Sequence, residues 1–312
     1  MIWIRSSITP EPPIDVVIFD VDGILIDDTV SYFAAVKATV RFVVAGLYGR
    51  SAQFATISDQ EIMAFKAAGG FNDDWVLAYT LCGILLAAPA NTRPPLAQIA
   101  QQSAGRGMPW VRDQYFPVLP VDLDMELIRQ IAIEHYWGKE LLKERMGRES
   151  IYYHGPGFVA LERPLVPAGF FDSLREIGIR RFGIITGRNA IELENGLRTL
   201  GFVDRHPFEF VLVAGELYKP DPQALIQAMA TLRPARALYI GDTGDDLQLV
   251  LNYREHPAKT ADCLSAIAPK PGQVEYFIRA GADLVLDSPT ELPAALCQIR
   301  QGSWANLAGE TG

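Results

Sequence analysis

Cysteine is scarce in this chain: Cys82, Cys263 and Cys297 are scattered through 312 residues. Their spacing offers no Cys-x-x-Cys pair for zinc or redox chemistry, and their odd number offers no disulfide framework. They read as buried thiols that behave as small hydrophobes. Basic charge is also short, with 28 Lys and Arg against 37 Asp and Glu and a net charge of −9. A general nucleic-acid binder needs a basic face, so the balance argues against that class. It leaves room for a small phosphorylated substrate, because one lysine and a metal ion neutralise a phosphate locally. The four histidines show no metal-ligand spacing. The stretch read as most apolar, around Leu81 to Ala90, is interrupted by Gly83 and Pro89 and falls well short of the roughly 20 residues of a bilayer span. Met1 to Pro13 holds no apolar segment of signal-peptide kind. No repeat at a solenoid period is visible. These absences lead us to expect a cytoplasmic protein with no membrane partner, a monomer or homodimer.

What is present is apolar residues, 49% of the chain, enough for one large core or a core with a smaller lobe. From Pro164 onward, short β-branched runs alternate with amphipathic stretches. Strands are expected at Arg181 to Ile185, Phe208 to Val213, Arg236 to Ile240 and Asp283 to Leu286, with helices at Asn189 to Leu200, Pro222 to Thr231, Asp245 to Asn252 and Pro289 to Ile299. Such alternation predicts an α/β fold, a Rossmann-like parallel sheet core with helices on both faces. Val16 to Phe19 is a further buried-strand run. Between about Asp28 and Arg163 helical patterns dominate, at Val30 to Leu47, Asp59 to Ala68, Asp73 to Leu86 and Met125 to Arg145. Ser58 with Glu61 fits a capping box, and Asn72 before Asp73 and Asp74 fits an N-cap. Ala87 to Pro120, rich in Pro, Gly, Gln and Ser, is expected to be a long loop. The domains predicted are a core of residues 1–28 and 164–312 and an inserted, mainly helical domain of residues 29–163.

Four segments carry groups suited to chemistry. In Phe19-Asp20-Val21-Asp22-Gly23, two carboxylates lie two residues apart at the end of an apolar strand. In extended chain they share a side, and a divalent cation would relieve their repulsion. The same residues fit a hairpin turn, with Asp22-Gly23 between two apolar runs. In Ile185-Thr186-Gly187-Arg188, a hydroxyl and turn N–H groups at a strand end suit an anion, although an ordinary strand-to-helix turn looks alike. Lys219-Pro220-Asp221-Pro222 gives a helix start, with Asp221 as N-cap, and a lysine that would steady a phosphate or sit in solvent. Gly241-Asp242-Thr243-Gly244-Asp245-Asp246 crowds three acids into one turn. A helix N-terminus accounts for Asp245 or Asp246, but less well for Asp242 directly after the strand. All four fall at the C-terminal ends of predicted parallel strands, the edge where open α/β sheets bind ligands.

In this order the four segments resemble the haloacid dehalogenase superfamily, in its phosphoglycolate-phosphatase-like branch with an enlarged helical cap. The likeness rests on Asp20 and Asp22, on Thr186, on Lys219, and on Gly241 with Asp242, Asp245 and Asp246. It implies a Mg2+-dependent phosphatase acting on a small phosphorylated metabolite through an aspartyl-phosphate. Asp20 would then be the nucleophile and Asp22 the general acid and base, giving its proton to the leaving oxygen and later taking one from water. Asp20, Asp22 through its backbone carbonyl, and Asp242 would hold the metal, with Asp246 and in some cases Asp245 on metal-bound water. Thr186 and Lys219, with the backbone N–H groups of Val21 and Gly187, would bind the phosphoryl oxygens. The inserted domain would read the leaving group, with Lys66, Asn72, Trp75, Arg106 and Arg112 as candidates. A phosphomutase using the same phospho-aspartate is the alternative, and a non-catalytic binding protein on the same scaffold a third.

Overall fold

The computed structural model describes residues 1–71, 73–215 and 217–303. The chain forms two compact units, Met1–Asp27 with Arg163–Gly312, and Asp28–Glu162.

The first unit is built on a seven-stranded sheet. Its strands are β1 (Ile2–Ile4), β2 (Val16–Phe19), β5 (Arg181–Ile185), β6 (Phe208–Leu212), β7 (Arg236–Gly241), β8 (Asp262–Ile267) and β9 (Leu284–Leu286), while β3 (Ile26–Asp27) and β4 (Arg163–Pro164) form a separate antiparallel pair. The order is β1-β9-β8-β7-β2-β5-β6, parallel throughout except for β1 at one edge. Strands buried on both faces read as continuous apolar runs, and β2 shows this: every residue from Val16 to Phe19 is buried. Alternate side chains feed two cores. Val17, Phe19, Leu238 and Ile240 pack with helices α7 (Phe170–Glu176), α8 (Ala190–Thr199) and α12 (Leu292–Gln301). Val16, Ile18, Ala237 and Tyr239 pack with α9 (Gln223–Leu232) and α10 (Gly244–Glu255). The helices therefore cover both faces. The remaining helix, α11 (Val274–Ala280), packs Phe277 with Ile267 and Val285.

β2 lies at the point where strand order reverses. The chain runs from β2 outward to β5 and β6, then returns to place β7 on the other side of β2. The crevice at the C-terminal ends of β2 and its neighbours is thus the expected binding edge. The hairpin alternative for Asp22-Gly23 falls away, because β2 pairs with β5 and β7 and not with the segment that follows it.

The second unit holds α1 (Thr29–Arg41), α2 (Asp59–Ala68), α3 (Asp74–Ala87), α4 (Leu96–Gln102), α5 (Gly107–Tyr115) and α6 (Met125–Met146). It has its own apolar core, with Val36, Val40, Phe65, Phe71, Leu81, Leu85, Ile99, Val111 and Ile131 among its members. The stretch Thr29–Leu47 is long and apolar enough to cross a bilayer by length and composition, but its Phe33, Val36, Val40, Val43 and Val44 are spent on this core.

Several expectations need correction. The predicted loop from Ala87 to Pro120 contains α4 and α5, each too short for its period to stand out, anchored by buried Leu96, Ile99, Ala100 and Val111. Pro109 is tolerated because it falls in the first turn of α5, where its missing N–H has no helical acceptor. The helix predicted from Val30 to Leu47 becomes π-helical from Phe42 to Leu47. The helix from Met125 is broken at Gly138 (φ 69°, ψ 168°), where a Cβ would meet the Gly157 backbone nitrogen at 2.1 Å. Asp73, not Asn72, caps α3, accepting from the N–H groups of Trp75 and Val76; Asn72 lies outside the described residues. The capping box at Ser58 and Glu61 forms with both of its bonds.

Candidate active site

Asp20 is the first residue beyond β2. Its N–H donates to the Ile240 carbonyl at 2.9 Å, one more step of the β2–β7 ladder. Thr186 is placed likewise beyond β5, its N–H donating to Leu212 O at 3.0 Å. Both side chains are buried. After Asp20 the chain turns sharply, with the N–H groups of Leu25 and Ile26 both donating to Val21 O. Asp22 therefore does not continue the strand, although its charge still acts on Asp20.

Lys219 joins three elements. Its Nζ lies 2.7 Å from Asp20 Oδ2 and 2.8 Å from Asp246 Oδ1, although it belongs to the connection after the edge strand β6. Asp246 is fully buried in the first turn of α10. Besides Lys219, its Oδ1 accepts from Tyr239 Oη at 2.7 Å, and its Oδ2 accepts from Thr243 N–H at 3.0 Å and Thr243 Oγ1 at 2.6 Å. Asp20, Asp242 and Asp246 each offer a carboxylate oxygen within 4.8 Å of the others.

Two glycines let these acids converge. A Cβ on Gly23, which has φ 69°, would lie 2.4 Å from Asp242 Oδ2, and one on Gly241 would lie 2.2 Å from Asp246 Cγ. The sequence reads Gly23 as part of a turn and Gly241 as the residue at the strand end; in the structure both clear space for carboxylates.

The electrostatics follow from burial. Desolvation pushes the Asp20 carboxyl up to about 7; Lys219 opposes this, and the charges of Asp246 and Asp22 add to it. Burial also works against ionised Asp246, but Lys219 and the bonds from Lys219, Thr243 and Tyr239 outweigh it and hold Asp246 below the usual range. Burial disfavours the Lys219 ammonium, yet Asp20 and Asp246 hold it above its ordinary value. Asp246 and Lys219 thus form an ionised, hydrogen-bonded pair, and of the three groups Asp20 is the one whose charged form the surroundings disfavour. Asp20, Asp242 and Asp246 bring hard oxygen donors together beside the Lys219 ammonium. A divalent cation such as Mg2+ fits that donor set and would return Asp20 to its ionised form.

The remaining predicted residues fall as follows. The Val21 N–H donates to Asp20 Oδ1 at 2.7 Å, so it orients the carboxylate. Gly187 is exposed just beyond Thr186. Thr186 Oγ1 accepts the Arg188 N–H at 3.2 Å, which leaves its own proton for a ligand. Asp245 lies at the surface of α10, and partial desolvation of its carboxyl, together with the charge of Asp246, raises its pKa. α9 starts one residue later than predicted, with Asp221 Oδ1 accepting from Gln223 N–H at 2.9 Å. The Asp22 carboxylate is not part of the acidic trio; it is held by Arg188 at 2.6 Å. Of the candidates in the helical unit, Lys66 pairs with Asp74 at 3.0 Å and Trp75 packs edge-on to Tyr136. The Arg106 guanidinium stacks on Trp110, and Arg112 lines a groove with Tyr79 and Phe116.

Sequence reasoning missed Tyr239, Thr243 and Arg188. Thr243 had a signal, since Thr-x-x-Asp before an apolar helix is a capping pattern. Tyr239 was hidden inside an apolar strand run.

Comparison with known proteins bears on the family and the fold. The family description of haloacid dehalogenase-like hydrolases matches residues 14–250. Phosphatase Tt82 from Thermococcus thioreducens is 26% identical with a TM-score of 0.59, over 80% of this chain and 92% of that one. A predicted phosphoglycolate phosphatase from Haemophilus somnus shares the fold at 12% identity and a TM-score of 0.53, over 89% of this chain and 96% of that one. No protein of curated function matches the sequence. The family match spans most of the sheet unit and all four acidic, hydroxyl and lysine segments, and the chain belongs to the haloacid dehalogenase-like hydrolases.

Proposed function

We propose that the chain is a Mg2+-dependent phosphatase that hydrolyses a small phosphomonoester through an aspartyl-phosphate on Asp20. The observation that carries this reading is the bridge from Lys219 to both Asp20 and Asp246, with Asp242 beside them. It presents one nucleophilic oxygen, one cation and a metal-suited acid set at a single sheet edge. The similarity to phosphatase Tt82 supports the same class.

The residues divide the work as follows. Asp20 Oδ2 faces Lys219; the Val21 N–H steadies Oδ1, which fixes the carboxylate for attack on phosphorus. Lys219 and the Thr186 hydroxyl neutralise the phosphoryl oxygens as charge builds. Asp22 gives a proton to the leaving oxygen, then takes one from the water that cleaves the acyl phosphate. Asp20 and Asp242 would hold the Mg2+, which supplies charge neutralisation of the incoming phosphate when bound. Asp246 already accepts four hydrogen bonds, so it would act through a water and as the anchor of Lys219. The free thiols fit a reducing cytoplasm.

The test is phosphate release from an aryl phosphate with added Mg2+. Turnover that disappears with a chelator, returns with Mg2+ and is lost in Asp20→Asn supports the proposal. A folded wild-type protein with Mg2+ that turns over nothing in a broad phosphomonoester panel refutes it.

A further inference from the structure

Arg188 is the third residue of the Thr186-Gly187-Arg188 turn, and its guanidinium has no exposed surface at all. It cannot touch a substrate. Its Nε and Nη2 both reach the same oxygen, Asp22 Oδ1, at 2.8 and 2.6 Å. Asp22 itself keeps 29% of its side-chain surface open. One oxygen of the carboxylate is thus tied inward by a charge-assisted hydrogen bond from Nε and a close ion-pair contact with Nη2, and Oδ2 is left to exchange a proton.

The arginine is in turn held from several sides. Its backbone N–H donates to Thr186 Oγ1 at 3.2 Å, its carbonyl accepts from Ala214 N–H at 2.9 Å, and Nη1 donates to Glu192 O at 3.3 Å on α8. Gly196, on the same helix, makes room for it: a Cβ there would lie 3.0 Å from Nη1. Asp22 sits in the turn after β2, joined to Ile26 by an isolated bridge that leaves its side chain to be oriented by other contacts. A planar fork is suited to setting carboxylate orientation in a way that lysine is not.

We infer that Arg188 is a positioning residue: clamping Oδ1 from beneath, it aims Asp22 Oδ2 at the leaving oxygen of the phosphate ester. This rests on the phosphatase reading, in which Asp22 is the general acid. As the bond from phosphorus to the leaving oxygen breaks and the bond to Asp20 forms, the proton on Asp22 Oδ2 passes to the leaving oxygen. An alkoxide needs that proton; a nitrophenolate departs without it.

The prediction is a loss that depends on the leaving group. kcat/KM reports only events up to departure of the first product, so the later attack by water does not enter. Arg188→Met should lower kcat/KM for an alkyl phosphate by about 100-fold or more, the scale of general-acid assistance, and for 4-nitrophenyl phosphate by less than about 10-fold. Asp22→Asn should show the same selectivity, and Arg188→Met in the Asp22→Asn background should add no further loss. Arg188→Lys, which keeps the charge and most of the volume, should show the selective pattern more weakly; it carries the test if Arg188→Met does not fold. Equal losses on the two esters, or further loss in the double variant, would overturn the inference and assign Arg188 a structural role alone. If Asp22→Asn is selective and both Arg188 variants are not, only the inference fails. A wild type inactive on both esters, or an Asp22→Asn variant with no loss on the alkyl ester, fails the phosphatase reading and takes the inference with it.

Discussion

Lys219 and Asp246 illustrate how a buried charge is made tolerable. Each would be costly alone; together, with Tyr239 and Thr243 completing the hydrogen bonds of Asp246, they form a preformed ionic floor under Asp20. Lys219→Met leaves both carboxylates buried without their cation, and should cost about 3–5 kcal/mol of stability in denaturant unfolding as well as activity. A loss below about 1 kcal/mol would mean that the pair is solvated in the folded protein. Gly23→Ala probes a different requirement. Its Cβ would lie 2.4 Å from Asp242 Oδ2 and its φ is 69°, so the substitution should displace Asp242. The expected outcome is Mg2+ activation weakened by about 10–100-fold, read from the metal concentration giving half-maximal turnover. The sequence shows Gly23 only as half of an Asp-Gly turn; its clearance role depends on Asp242, distant in sequence, and so was not legible.

Phe19, the residue before Asp20, sits among the rings of Phe170, Phe171, Phe182 and Phe208, with centroids 5.6 to 6.3 Å away. These rings hold β2 against α7 and so fix where the strand ends. Phe19→Ala should cost about 3–5 kcal/mol in denaturant unfolding. In the helical unit, Glu134 of α6 plays a comparable part for the 150–153 segment. Its Oε2 accepts the N–H groups of Ile151, Tyr152 and Tyr153 at 3.0, 2.6 and 3.0 Å and the Ser150 hydroxyl at 2.9 Å. Burial works against the charge, but these bonds hold its pKa below the ordinary value. A depressed carboxyl stabilises the folded state above its unfolded pKa, about 4.3, and loses that contribution as pH falls through the folded value. Glu134→Gln should therefore cost about 1.5–3 kcal/mol at pH 7, and the gap between variant and wild type should narrow below about pH 4.3. A pH-independent gap would contradict this account. Legibility varied with the same physics. β2, β5 and β7 announce themselves as apolar runs because both faces are buried. β8, with the sequence Asp-Cys-Leu-Ser-Ala-Ile, has little β-branched content and is made a strand by pairing with β7 and β9. The brief α4, α5, α7 and α11 gave too few turns for a period to be read.

Each of the two units encloses its own apolar core, while every group of the candidate site belongs to the sheet unit. Thermal unfolding should therefore depart from a single two-state transition. Mg2+ with a phosphate analogue at a hundred times its Kd should raise the transition of the sheet unit by about 2.7 kcal/mol. A uniform shift of one transition would show that the units unfold as one. The site was legible because its acids, hydroxyl and lysine stand at strand ends or in the connections that follow them, where chain direction brings them to one edge. Arg188 and Tyr239 were not, because their partners are set by packing. The central claim concerns Asp20, and it can be read chemically. Borohydride reduces an acyl phosphate, but not a free carboxylate, to the alcohol. In protein quenched during turnover with Mg2+ and an aryl phosphate, peptide mass spectrometry should find homoserine at position 20 and nowhere else. Unmodified Asp20 during sustained turnover, or reduction at another acid, would contradict the account.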